Sequence, residues 1–329
     1  MAATHEKLVQ HLWRSYGIQA QAIIRRRTVL GIVDEDGHAY IWKPARLGDD
    51  EARLAALAGL QSVYQASGTD VALPLRARSG RYLTRVSDAD TAGYLQPWLT
   101  GRHVDVSVAK ERLRVLSTLA AVQRASQQAG FPGQQVLTRG TLLGKLRMKE
   151  KALWRVWPTV EAAYPVLRHW RQPTERRMTY VLQSYKTYLA RHHDDTADIA
   201  FCHRDLAPHN VLCQPEGRIG WIDFDHANYD DMLHDAIQFV GHTVFLAALS
   251  AEAYRELVET YVAAAEIDTE RAQLLWTLTT WPDVLIRVCV EWVRQGCRKE
   301  GITRIDHAIA CERKRMRLQT ELDLKGCPF

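Results

Sequence analysis

Phe201-Cys202-His203-Arg204-Asp205-Leu206-Ala207-Pro208-His209-Asn210-Val211-Leu212, followed by Trp221-Ile222-Asp223-Phe224-Asp225, decides how this 329-residue chain is read. Asp205 and Asn210 stand on either side of Pro208, which lacks an N–H and disrupts a regular helix. The segment is therefore a shaped loop, and Val211-Leu212 begins a strand. Glu216-Gly217 supplies a turn, and Arg218 to Phe224 a returning strand. Such a hairpin brings Asp223 back beside Asn210, with the carboxylate of Asp205 close by. An amide oxygen and a carboxylate together suit Mg²⁺, which takes one or two protein ligands and fills its shell with water and phosphate oxygens.

The order H-R-D, then Asn five residues after the Asp, then D-F beyond a hairpin, matches the catalytic segments of protein kinases. There the first Asp orients and deprotonates the attacking hydroxyl, and the Asn and second Asp hold the metal ions. Departures narrow the match. Asp225 stands where protein kinases carry glycine, no A-P-E follows, and only eleven residues separate Asp223 from Asp235, too few for a long activation loop. The chain resembles the aminoglycoside phosphotransferase and choline kinase branch of kinase-like folds, and within it the CotS-type spore-coat kinase-like family. Cys202–Leu212, Ile222–Asp225 and His234-Asp235-Ala236 carry the resemblance. So does Leu119–Ser126, where Gln123 replaces the His of the family's Leu-Ala-x-x-His-x-x-Ser helix.

The resemblance implies a bilobal, protein-kinase-like α+β fold. A small antiparallel-sheet N-lobe would occupy residues 1–97, and a mostly helical C-lobe with the catalytic loop and substrate cleft residues 98–329. It implies an ATP- and Mg²⁺-dependent phosphotransferase that moves the γ-phosphoryl group to a hydroxyl of a small molecule. Asp205 would be the base, Asn210 and Asp223 the metal ligands, and Lys43 the phosphate clamp with Glu51 as its partner. His203, Asp225 and Asp235 would support the loop. Adenine would be held by the Gln96 carbonyl and the Trp98 N–H, since Pro97 has no N–H. A rival reading is a catalytically weak or inactive scaffold of the spore coat. The absence of G-x-G-x-x-G in the first turn favours it, and the intact Asp205, Asn210 and Asp223 oppose it.

The rest of the chain is consistent with two unequal lobes. Glu6–Tyr16 reads as an amphipathic helix with Leu8, Leu12 and Trp13 on one face, closed by Gly17. Ala20–Ile24, Val29–Val33 and His38–Lys43 read as three antiparallel strands, with Asp34-Glu35-Asp36-Gly37 as a turn. In the first turn Arg25, Arg27 and Thr28 either contact phosphate or are simply solvated. A helix from Asp49 to Tyr64, capped by Asp49 or Asp50, follows. Val71–Leu75, Arg81–Val86 and Tyr94–Pro97 are expected to finish the sheet. Helices are expected over Ser107–Gln128, Thr141–Tyr164 and Thr174–His192, and from Asp235 to about Lys325.

Composition bounds the partners. The net charge is +5 with both signs interspersed, which suits an anionic ligand such as a nucleotide; no basic tail or reader motif points to nucleic acid. The six cysteines are scattered without a C-x-x-C pair and read as core residues of a reducing compartment. No apolar signal core opens the chain, and its longest apolar run, Val244–Leu249, is far short of the roughly 20 residues a bilayer needs. The expectation is a cytoplasmic protein, with the spore coat as a further location and its proteins as further partners under the CotS-type resemblance.

Overall fold

The computed structural model describes residues 2–26, 29–46, 48–86, 91–130, 132–138, 140–192 and 196–322. Helix α1 (Ala2–Tyr16) packs Leu8 and Leu12, one turn apart, against the following sheet. Trp13, expected on that face, is rotated off it: it is 51% exposed, with the Arg78 guanidinium 5.6 Å from its ring centre. Gly17 ends the helix at φ +75°, a conformation that a side chain would strain.

Strands β1 (Ala20–Arg26), β2 (Val29–Asp34) and β3 (Ala39–Pro44) pair antiparallel in sequence order. Asp34 builds the turn between β2 and β3, since its Oδ1 accepts the N–H of Asp36 (3.1 Å) and of His38 (2.7 Å). The expected single helix is two. Helix α2 (Glu51–Ala58) is capped by Asp50, whose Oδ1 accepts the Arg53 N–H at 2.8 Å. It stops at Gly59, a poor helix former, and the chain resumes as α3 (Gln61–Ala66).

Three strands follow: β4 (Asp70–Val71), β5 (Thr84–Arg85) and β6 (Ala92–Pro97). The first sheet runs β1-β2-β3-β6-β5, five strands, and Val71–Leu75, expected to join it, is not among them. Asp70 and Val71 pair parallel with Gly220 and Trp221 instead; this stretch meets the first sheet at Leu75, whose N–H donates to the Leu95 carbonyl (2.7 Å) and whose side chain packs on the core there. Val71 and Leu73 bury in the larger core. An apolar run reports burial on one face; it does not report which sheet supplies the burial.

The remainder is a helical body threaded by short strands. In order these are β7 (Arg102–His103), α4 (Ala109–Gln128), α5 (Leu142–Ala163), α6 (Arg171–Arg191), β8 (Ile199–Cys202), β9 (Val211–Cys213), β10 (Ile219–Trp221), β11 (Asn228–Asp231), α7 (Leu233–Leu246), α8 (Ala251–Ala265), α9 (Thr269–Leu278), α10 (Asp283–Arg294) and α11 (Ile302–Glu321). Strands β4-β10-β9-β7 form one small sheet, and β8 pairs with β11.

Two apolar cores result. The smaller joins Leu8, Leu12, Ile32, Trp42, Val86 and Leu95 under the first sheet. The larger fills the helical body and takes in Leu57 of α2, Leu60 at the junction, and Val63 and Tyr64 of α3, so these helices rest on the body. Gln123 on α4 is wholly buried at the centre. Its Nε2 donates to the Met232 carbonyl (2.8 Å), and its Oε1 accepts from Tyr261 (2.7 Å), which satisfies both ends of the amide. Ser126, one turn on, accepts the Phe201 N–H at 3.0 Å and fixes β8 against α4. No helix among the described residues is long and apolar enough to cross a membrane, and none of the described cysteines is in a disulfide.

Candidate active site

Strand β8 delivers the chain to His203, and Asp235, wholly buried on the first turn of α7, catches it there. The two carboxylate oxygens of Asp235 accept the N–H groups of His203 (2.6 Å) and Arg204 (2.7 Å). Arg204 has a φ of +63°, a left-handed conformation that costs energy for a residue with a Cβ and persists where its surroundings hold it. The Arg204 guanidinium reaches Asp230 at 3.2 Å. The His203 ring bridges the Asp205 loop and the Asp223 turn. Its Nδ1 accepts the Asp205 N–H (3.3 Å), which leaves the proton on Nε2 to be donated to the Ile222 carbonyl (2.8 Å), one residue before Asp223.

Asp205 is thereby turned toward open space with only light contacts on its carboxylate: Gln238 Nε2 at 3.4 Å and Asn210 Nδ2 at 3.5 Å. Gln238 also accepts the Leu206 N–H through its Oε1 (3.1 Å). Nothing in the sequence reading singled Gln238 out, yet it lies three residues beyond Asp235 on one helix, the spacing that puts two side chains on one face. Asn210, almost fully buried, donates from Nδ2 to the Asp205 carbonyl at 2.8 Å, which leaves its amide oxygen for another partner. The Asn210 carbonyl in turn accepts the Ile222 N–H (3.1 Å), so the β9–β10 hairpin sets Asp223 next to Asn210.

Asp223 has a φ of +68°, and this left-handed turn separates its carboxylate from the buried Phe224. The Phe224 ring anchors the turn among Phe201, Tyr64 and His203, with ring centres 4.8–6.2 Å apart. Lys43, at the end of β3, donates to Asp223 at 2.6 Å and to Asp225. Burial alone would raise the Asp223 carboxyl, but the Lys43 ammonium outweighs it and holds the group below the usual carboxylate range.

The expected Lys43–Glu51 pair does not form. Glu51 opens α2 and spends its two oxygens on the N–H groups of Tyr82 (2.8 Å) and Leu83 (2.9 Å), which fixes the approach to β5. Besides Asp223, Lys43 pairs with Asp225, at the position where protein kinases have glycine; a carboxylate there reaches the lysine without help from the helix. Asp225 also pairs with Arg46 and accepts from Tyr94 at 3.5 Å. Helix α2 contributes a cation instead. Arg53, 1% exposed, donates to the carbonyls of Asp225 (3.1 Å) and Ala227 (3.0 Å) and thereby grips the turn that carries Asp223.

The strand that was expected to meet adenine is also arranged differently. The Trp98 N–H continues the β3–β6 ladder by donating to the Ala39 carbonyl (3.0 Å), so it is not free for a base. Its indole lies against Gly31 of β2, where a Cβ would stand 2.1 Å from the ring. Gln96 faces Ile41 in the same ladder. Arg27 and Thr28 lie outside the described residues.

Asp205 lines a cleft of about 690 Å³ bounded by the start of α5, the face of α7 and the length of α10. Asp223, on the Lys43 side, is not part of its wall. At the cleft, Lys149 pairs with Asp283. Burial opposes ionisation of Asp283, but Lys149, then Lys145 and His242, hold its carboxyl at about 2, against 3.8 for an unperturbed group. A depressed folded-state value stabilises the fold above the unfolded value, and that stability is lost as pH falls through the folded one. Acid unfolding should therefore steepen between about pH 4 and pH 2. Asp283→Asn should flatten that limb of the stability–pH curve measured by urea titration. An identical limb in both proteins would mean that Asp283 does not contribute to it.

The donor set beside Lys43 fits a hard divalent cation: one amide oxygen not used by the Asn210 Nδ2 contact, and one carboxylate kept ionised by its surroundings. Residues 26–275 match the sequence model of the phosphotransferase enzyme family. Among curated proteins, no sequence matches. Solved structures are similar across nearly the whole chain. An aminoglycoside phosphotransferase from Alicyclobacillus acidocaldarius is 16% identical, with 93% of this chain and 92% of that one covered at a TM-score of 0.75. An amicoumacin kinase in complex with AMP-PNP and Ca²⁺ is 15% identical (98% and 95% covered, TM-score 0.60). A microcompartment-associated aminopropanol kinase is 18% identical (98% and 99% covered, TM-score 0.58). At these identities the likeness shows the kinase-like fold: an antiparallel sheet first, a helical body after it.

Proposed function

The chain belongs to the phosphotransferase enzyme family, and on that premise we propose that it transfers the γ-phosphoryl group of ATP to a hydroxyl of a small molecule. Nucleotide would lie between residues 1–97 and 98–329, against Lys43. The observation that carries the reading is the division of labour between two carboxylates. Asp205 faces the cleft with no cation among the described residues paired to it, whereas Asp223 sits beside Lys43 and Asn210, outside the cleft wall. The acceptor hydroxyl would give its proton to Asp205 as its oxygen bonds to the γ-phosphorus. The bond to the β-bridging oxygen breaks and ADP departs. Catalysis of this type is positioning and charge neutralisation. Mg²⁺, held by Asn210 and Asp223, would supply neutralisation of the phosphate charge when bound. Gln238 and Asn210 keep Asp205 aimed, and Arg53 and Phe224 hold the Asp223 turn in place.

The narrower CotS-type likeness, with cytoplasmic synthesis and a place in the spore coat, is part of this proposal; absence of the protein from purified spores of its source would remove that part. The enzymatic reading itself is tested at Asp223. ATP should raise the melting temperature of the wild-type protein, and Mg²⁺ should enlarge the shift, because a ligand that binds only the folded state stabilises it by mass action. Asp223→Ala should keep the fold and abolish the Mg²⁺ increment. An undiminished increment would release Asp223 from the metal role.

A further inference from the structure

Ionic partners around the cleft leave a residue of positive charge. Of the carboxylates in its wall, Asp283 is paired with Lys149, Asp225 with Lys43 and Arg46, and Glu291 with Arg304 at 2.9 Å. The wall cation Arg204 is matched by Asp230. Asp205 remains on the negative side, and Lys145, Arg287 and Arg294 on the positive. Arg294 is at the exposed rim. Lys145 is within ion-pair distance of no carboxylate among the described residues. It donates to the Arg204 carbonyl (2.6 Å) and to His234 Nε2 (2.9 Å), which occupies two of its three N–H bonds. Burial, with Lys149 alongside, lowers it to about 8, so it stays mostly protonated at neutral pH.

Arg287 is the least satisfied of the three. It lies midway along α10, half-buried, with Asp283 one turn before it and Glu291 one turn after. Either could have paired with it at that spacing, and neither does. Its Nε is buried without a hydrogen-bond partner, and no carboxylate or carbonyl among the described residues meets the guanidinium. A buried donor without an acceptor is costly. A planar fork of N–H groups is also the geometry that receives a carboxylate or phosphate through two bonds.

We infer that the acceptor carries, besides the hydroxyl to be phosphorylated, an oxyanion that docks on Arg287 with Lys145 as the second cation. The inference rests on the phosphotransferase reading and names its substrate class: a hydroxylated small molecule bearing a carboxylate or a phosphate. An ammonium-bearing acceptor would meet two uncompensated charges of its own sign on this wall. The oxyanion orients the molecule on α10, and its hydroxyl is left to face Asp205, which lines the same cleft.

The test uses four probes on one hexopyranose skeleton: glucuronate (carboxylate), glucose 6-phosphate (phosphate), glucose (neutral) and glucosamine (cation). Binding to the full chain is measured by ligand-observed NMR in the presence of ADP, with ADP and AMP-PNP affinity measured in the same samples. At least one of the two anions should bind more tightly than glucose and glucosamine, and which one does so identifies carboxylate or phosphate. Arg287→Gln should weaken that anion by about 10- to 100-fold, the range expected for a hydrogen-bonded charge pair. Arg287→Lys, which keeps the charge and loses the fork, should recover part of the loss and also controls for folding. No preference among the four probes, a preference for glucosamine, or an anion affinity unchanged by Arg287→Gln would each overturn the inference. So would a loss confined to AMP-PNP, which would place Arg287 on the donor side. Failure of ADP itself to bind the wild-type chain would instead remove the phosphotransferase reading.

Discussion

Asp205→Asn should lower phosphoryl transfer by about 10²–10⁴-fold, the range a positioned general base typically supplies. The substitution keeps the size of the side chain and removes its proton acceptor and negative charge. Little else should change. Among the described residues Asp205 makes no ion pair, and its side-chain contacts there, to Gln238 and Asn210, are long at 3.4 and 3.5 Å. The bonds that shape its loop run through its main chain, from Asn210 Nδ2 to its carbonyl and from its N–H to His203. Calorimetric ATP and Mg²⁺ affinity should therefore stay close to wild type while turnover falls, whether the assay follows an acceptor or background ATP hydrolysis. Turnover that survives the substitution would take the base role from Asp205. A scaffold would have no turnover to lose, and the substitution would then alter at most its stability.

Residues 201–225 were legible because the chemistry there is local in sequence. A proline between two polar residues forces a loop, a turn after it forces a hairpin, and a hairpin's register places Asn210 and Asp223 side by side. The strands β1 to β3 and the long helices α4 to α6 followed from period alone, within a few residues at each end. What could not be read was pairing between distant segments. Glu51 was assigned to Lys43 because kinase-like folds place a helix carboxylate there. Its real partners are two N–H groups near residue 82, and Asp225 brings a carboxylate to the lysine from the turn that carries Asp223. The departure of Asp225 from glycine was visible in the sequence; that it relocates the ion pair was not. The same limit explains Val71–Leu75, whose apolar pattern states burial but leaves the neighbouring strand open, and Trp98, whose N–H was taken by the sheet. Arg287 gave no signal at all. Its meaning lies in what fails to approach it, and absence of a partner is a property of the folded molecule.

Asp235→Ala should be the most damaging single change to the frame of the site, because it leaves two adjacent buried N–H groups, those of His203 and Arg204, without acceptors. Each such group costs about 1–3 kcal/mol, and bonds to a charged acceptor lie toward the upper end. Domain stabilities are only about 5–15 kcal/mol, so the loss should be plain as a lowered midpoint in urea with an unchanged slope. The effect on turnover should exceed the effect on stability. Arg204 holds its left-handed backbone through one of these bonds, and Asp205 follows it directly, so a relaxed turn swings the base away from the cleft. Asp235→Asn separates this from a simple helix-start role. It keeps one acceptor oxygen but turns an N–H₂ toward the other N–H, and so should recover only part of the loss. Under the helix-start alternative the asparagine would be nearly as good as aspartate. Amide hydrogen exchange decides between them: the His203 and Arg204 amides should become the fastest-gaining positions in the loop for Asp235→Ala. Protection of both amides at wild-type levels, with the stability loss confined to α7, would show that the carboxylate caps a helix and does not hold the catalytic turn.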